Sequence, residues 1–369
     1  MSTQTGRVLE DAAALERLDT GTMLAKIGRF PDQMRAGWEI SRSLYLPERH
    51  KARSASAVAV LGMGGSAISG DLVRAVFADR LRSPLFSVRD YDLPAWVGPD
   101  TLVVAVSHSG ATEETIAALG VALERRCPVA AITTGGPIGE VAAHVDLPRL
   151  VYPDEAPPRA SLGYMLALLA GLLERAGMLD ISAEEMDGAA EAALSVGHSC
   201  GSDVPTESNM AKQIAWSLLD RLPVIVGSGA MAAVARRWKT QLNENANSAA
   251  VAEELPEATH NTIVGYEQPE TLRDHQYHVF LAAPADHARN RRRARLSTNL
   301  LDAVGIANRR VTFEGPSLLA QACAAISLGD YASFYLAMLY GVDPAPTPAL
   351  AMVKAHMSEF DPLVTETED

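Results

Sequence analysis

Apolar residues in this chain come in short continuous runs, each followed by a glycine-bearing turn and then by helical spacing. Ala57–Leu61 is the first such run; Gly62, Met63, Gly64, Gly65 and Ser66 follow it, and then Leu72, Val73, Val76 and Phe77 at helical intervals. Asp100–Val106 is the next, leading through Ser107–Ala111 into a helix over Thr112–Arg125. Leu85–Val88, Val129–Thr133 and Leu150–Val151 add shorter strands, with a short helix over Ile138–Ala143. Runs without polar alternation belong to strands covered on both faces, so strand–helix alternation here predicts a parallel sheet between helices.

The same plan returns after residue 200. Pro223–Val226 is a strand, Gly227–Gly229 its turn, and Met231–Asn245 a helix; His278–Ala282 and Arg310–Phe313 are strands, and Ala288–Val304 and Leu318–Leu339 helices. Between the halves lie a stiff loop with Pro153, Pro157 and Pro158, an apolar helix over Leu162–Leu173, and an alanine-rich helix broken at Gly201. The expected fold class is therefore α/β, with two doubly wound domains, each a parallel sheet flanked by helices. Residues 1–40 form a helical lead-in with a helix over Gly28–Ser43, residues 41–200 the first domain, and residues 201–369 the second with a C-terminal helical segment.

Composition narrows the function. The chain has 369 residues and a net charge of −13, which argues against a nucleic-acid partner. The five arginines of Arg289–Arg295 then read as a solvated helix face. Three distant cysteines, Cys127, Cys200 and Cys323, show no metal or disulfide spacing, and the N-terminus has no apolar signal core. No apolar run reaches the roughly 20 residues that span a bilayer. A cytoplasmic protein with no membrane partner is expected.

The candidate chemistry sits at strand ends. Glycines let a backbone approach an anion, and Ser66 is expected as an N-cap there. Ser107, Ser109 and Thr112 offer three hydroxyls in one turn, enough to meet the terminal oxygens of a phosphate. A dinucleotide fingerprint does not fit, since its third glycine would fall at Ala67.

The turn SHSGATEET resembles the phosphate loop of the sugar isomerase (SIS) fold. Together with GMGGSAISG, PPRASLGY, QLNENANSAAVAEELPEATHN (241–261) and MLYGVDPAPTPALAMVKAHM (338–357), it makes the chain from about residue 28 to 357 resemble the bifunctional phosphoglucose/phosphomannose isomerase family. The resemblance implies an aldose–ketose isomerase that interconverts glucose 6-phosphate or mannose 6-phosphate with fructose 6-phosphate through an enediol. It implies Glu244 as the base, His260 as the ring-opening acid, Lys354 near the sugar ring and Arg159 beside the enediolate. Gly65, Ser66, Ser107, Ser109 and Thr112 would hold the phosphate. It also implies a homodimer, with the histidine supplied by the other copy, and no metal or cofactor. The chain departs from the family at His108, where an aromatic is usual, and at Ala111, where an asparagine is usual. His108 is read as filling the aromatic's space. The competing function is a sugar-phosphate-binding protein of the same fold without turnover.

The chemistry asks for these groups. Opening the ring needs a proton donor near neutrality, which suits histidine. A carboxylate then carries the proton between C2 and C1, and positive charge stabilises the enediolate. C2 is planar in that intermediate, so one base serves both sugars.

Overall fold

The computed structural model describes residues 5–359, so residues 1–4 and 360–369 of the expected lead-in and C-terminal segment lie outside it. The lead-in folds as α1 (Ala12–Leu18), α2 (Met23–Gly28) and α3 (Phe30–Arg42). The helix expected over Gly28–Ser43 thus divides at Arg29, and Pro31 stands in the first turn of α3, where its missing N–H costs nothing.

The first sheet is built by β1 (Ala57–Leu61), α4 (Gly64–Val76), β2 (Leu85–Val88), β3 (Thr101–Ser107), α5 (Glu113–Glu124), β4 (Val129–Thr133), α6 (Gly136–His144) and β5 (Arg149–Val151). Its strand order is β2-β1-β3-β4-β5, parallel throughout, with Val58 beside Leu85 and Leu102. β3 is buried at every position, as its unbroken apolar run requires. Two helices follow the sheet, the buried α7 (Leu162–Arg175) and α8 (Ala183–Cys200), which buries one face.

The second sheet comes from α9 (Met210–Leu218), β6 (Leu222–Ser228), α10 (Ala230–Ala246), β7 (Val251–Leu255), β8 (Gln276–Ala282), α11 (Ala288–Ala303) and β9 (Asn308–Thr312). Its order, β7-β6-β8-β9, repeats the first four positions of the first sheet, again all parallel. The expected repetition of plan is therefore real. β7 is the strand the hydrophobic pattern missed. Its sequence VAEEL lies at a sheet edge with four of five positions at least partly exposed, so it carries no apolar run.

α12 (Leu318–Tyr340) and α13 (Pro348–Glu359) end the described chain. α12 is long and apolar enough to cross a bilayer, but it is wholly buried as the core helix, packed on α8, α9 and α10. α4 and α10 meet across the two halves, and α3 packs on α7 and α8, so one apolar core runs between the sheets. Smaller clusters close the outer faces, under α5 and α6 on the first sheet and under α11 on the second.

Candidate active site

β1 and β3 are neighbours, while the sheet continues to β2 on one side and to β4 and β5 on the other. The direction of winding reverses between them, and the crevice beyond their carboxyl ends is where such sheets bind ligands. Both expected turns open there. Ser66 is not the N-cap: Met63 is, and Ser66 lies in the first turn of α4, buried. Its hydroxyl accepts from the His108 backbone N–H at 3.4 Å and so ties the two turns together. Gly65 faces the loop before Arg159; a side chain there would begin 3.2 Å from the Pro158 carbonyl. Ser107 and Thr112 hydroxyls lie 3.1 Å apart, and the exposed Ser109 accepts from Ala111 N–H at 3.2 Å. Gly110 has φ +64°, and a Cβ on it would sit 1.9 Å from the Gly135 carbonyl oxygen, so only glycine closes the turn.

His108 turns its ring away from these hydroxyls. Nε2 lies 3.0 Å from Asp154 and Nδ1 3.1 Å from the Tyr152 hydroxyl, with the tyrosine ring tilted against it. A carboxylate can only accept, so Nε2 carries a proton toward Asp154. Burial holds this histidine below its usual pKa, with Asp154 opposing. The ring packs on Tyr152 and bonds Asp154, bracing the turn to the loop that follows β5.

Arg159, buried, follows the proline loop. Its Nε donates to Asn245 Oδ1 at 2.9 Å, one terminal nitrogen donates to the Pro344 and Ala345 carbonyls at 2.8 and 2.7 Å, and the other lies 3.8 Å from Glu244. Burial lowers its pKa, Glu244 working against that and Arg237 with it. Glu244, the carboxylate beside the guanidinium among the described residues, keeps 26% of its side chain exposed. The fold thus brings Arg159 and Glu244 together next to the Gly65 turn.

A second set of residues, absent from the sequence-level site, holds this pair. Arg237, 1% exposed, donates to both oxygens of Asp330 at 3.0 and 3.1 Å and also to the Arg159 carbonyl. Burial pushes the Asp330 carboxyl above its usual range and the Arg237 charge opposes the shift. Asn245, bonded to Arg159, donates to Ser333 Oγ at 3.0 Å. Both supports come from one face of α12, at positions three apart. The signal was present in the sequence: a lone charge, Asp330, inside a long and mostly apolar helix needs a buried partner.

His260 and Lys354 are not brought to that pair. α10 runs against β6, so Glu244 lies about 21 Å along the helix from Ala230, at the far edge of the sheet. His260 instead follows the carboxyl end of β7, where Leu255 pairs Ser228, and is exposed. Lys354 lies on α13, where residues 348–357 are all exposed. Among them Leu350, Met352, Val353 and Met357 leave 42–59% of their surface in solvent.

Comparison with known proteins joins these observations. Residues 52–148 match the SIS domain, and residues 207–357 match the bacterial phospho-glucose isomerase C-terminal SIS domain. A bifunctional phosphoglucose/phosphomannose isomerase of Caldicellulosiruptor bescii is 34% identical over 92% of this chain and 99% of its own. One of Aquifex aeolicus is 32% identical over 81% of this chain and 89% of its own. A hypothetical protein of Thermus thermophilus shares the fold, with TM-score 0.75 at 17% identity over 97% of this chain and 95% of its own. By sequence, by domain composition and by fold, this chain belongs to the bifunctional phosphoglucose/phosphomannose isomerase family.

Proposed function

We propose that this protein interconverts glucose 6-phosphate and mannose 6-phosphate with fructose 6-phosphate through an enediolate. The observation that carries the reading is the Arg159–Glu244 pair set against the Gly65 turn: a cation and a solvent-facing carboxylate beside a cradle of hydroxyls. Gly65, Ser66, Ser107, Ser109 and Thr112 take the phosphate by N–H and O–H donors. Glu244 takes the proton from C2 and returns it at C1, while Arg159 stabilises the charge that builds on O1 and O2. Lys354, exposed on α13 and away from that pair, is assigned to the sugar ring by the family resemblance alone.

His260 opens the ring, and it comes from a second copy of the chain. Its separation from Glu244 within one copy supports this, as do the exposed apolar side chains of α13 and Val264, 77% exposed, four residues beyond His260. We place the domain division near residue 200 and the working form as a homodimer. The substrates and the three free, buried cysteines fit a reducing cytoplasm.

Mixing two inactive variants tests the reading. Glu244→Gln and His260→Ala, each inactive alone, are unfolded together and refolded. If base and acid come from different copies, each mixed dimer holds one intact site, and statistical mixing restores roughly one quarter of wild-type activity. No recovery on mixing, with mixed dimers demonstrated by mass, refutes the shared site. Full activity in Glu244→Gln alone refutes the base.

A further inference from the structure

α4 and α10 lie side by side, one from each half, and run in opposite directions. At one end of the pair are Ser66 and Glu244, the site already described. At the other end, beyond the N-terminal edge of the first sheet and the C-terminal edge of the second, a separate open cleft of about 560 Å³ lies between the halves. Arg74 and Arg82 reach it from the first half and Arg236 from the second. All three are exposed. Among the described residues, the Arg74 and Arg82 guanidiniums meet no carboxylate and no hydrogen-bond acceptor. Arg236 lies 3.3 Å from Asp71, which Arg89 already holds at 2.6 Å. The one other acidic residue in the lining is Glu254. Two unpaired cations beside a shared one, around a cavity of ligand size, stand out on a chain of net charge −13.

We propose that this cleft is a second ligand site, distinct from the isomerase site, that binds a small metabolite carrying two anionic groups, a sugar bisphosphate being the fitting class. Arg74 and Arg82 hold one group. Arg236 holds the other, which competes with its bond to Asp71. Ligands of this size occupy cavities of about 300–1,000 Å³, and guanidiniums pair phosphate oxygens two at a time. The Asp71–Arg236 contact crosses between the halves, so a ligand that draws on Arg236 acts on how α4 and α10 are held together. Ser66 lies about 14 Å along α4 from Ala75, which lines the cleft, and Glu244 about 18 Å along α10 from Ala232, which also lines it. Both helices thus connect the cleft to a site residue, and the proposed coupling runs along them.

The naming of the far site as an isomerase site rests on the function proposed above; the count of binding sites does not. Calorimetric titration of the intact protein uses fructose 1,6-bisphosphate as probe, which cannot be isomerised because its C1 oxygen is phosphorylated. The wild type is expected to bind two equivalents per chain, Ser107→Ala with Ser109→Ala to keep one, and Arg74→Ala with Arg82→Ala to lose the cleft equivalent by at least tenfold in affinity. The arginine variant should keep the wild-type kcat without probe and the wild-type urea midpoint, since both side chains are exposed. At saturating fructose 6-phosphate, the probe should change wild-type kcat at least twofold and leave the arginine variant unchanged. A single equivalent that disappears in the serine variant overturns the cleft site, and an unmoved kcat in the wild type overturns the coupling. Undiminished affinity for phosphate ligands in the serine variant strikes the isomerase-site reading instead.

Discussion

Asp330→Asn tests whether the catalytic pair is held from behind. The substitution keeps the side-chain volume and removes the charge that faces Arg237, a guanidinium 1% exposed and bonded to both Asp330 oxygens. Breaking a buried pair by removing one partner costs about 3–5 kcal/mol, because the remaining charge stays dry and unpaired. Urea unfolding followed by tryptophan fluorescence reads this directly, since buried Trp238 is the next residue along α10. Replacing both partners, Arg237→Met with Asp330→Leu, removes the unpaired charge and should recover most of the stability, since apolar substitutes for buried ion pairs are commonly neutral or better. Activity should behave differently. Arg237 also donates to the Arg159 carbonyl, and the double variant leaves that oxygen without its donor, a loss of about 1–3 kcal/mol at the loop that aims the guanidinium at Glu244. The expected result is restored stability with kcat still lowered and KM for fructose 6-phosphate little changed. A double variant with both stability and kcat of the wild type would refute the argument, leaving Arg237 a packing residue only. So would an unchanged urea midpoint in Asp330→Asn.

Two further outcomes follow from the geometry. Ser107→Ala with Ser109→Ala should raise KM by on the order of 10² or more with kcat nearly kept, since each lost bond to a charged phosphate costs about 1.5–3 kcal/mol in ground and transition states alike; loss of kcat at unchanged KM in steady-state assays would exclude the cradle. His278, buried on β8 between Tyr266 and Phe280, is held by burial at a pKa of about 4 and is neutral in the folded state. The unfolded chain takes that proton at about 6.5, so stability is level above that pH and falls as pH drops from 6.5 to 4, by about 3 kcal/mol in all. Urea midpoints measured across this window should flatten in His278→Phe; an unaltered slope would show that other groups set it.

How much of this was legible beforehand differs from residue to residue. β1, β3, β4 and β8 are buried strands in parallel sheets, and such strands are mostly apolar, so their runs were readable even though β8 also buries His278. The turns after β1 and β3 were readable for a related reason: Gly110 is forced by close backbone approach, Gly65 packs tightly on the Pro158 backbone, and glycine is conspicuous in a sequence. β7 was not readable, because an exposed acidic edge strand has no pattern that tells it from a helix surface. Ser66 was placed in the right turn with the wrong task, since whether a hydroxyl caps its own helix or bonds a neighbouring turn depends on where that turn lies.

Residue types in order along the chain can name a set such as Glu244, His260, Lys354 and Arg159, but contact between residues 85 apart is a property of the packed helices. Only the tertiary structure decided that Arg159 meets Glu244, because the Arg159 loop is fixed by Arg237 and Asn245 on α10, and these in turn by Asp330 and Ser333 on α12. The same packing sets His260 at the opposite end of its sheet from Glu244, since a helix connecting parallel strands must run back along them: Glu244 lies near the end of that returning helix, and His260 follows β7, which runs forward again.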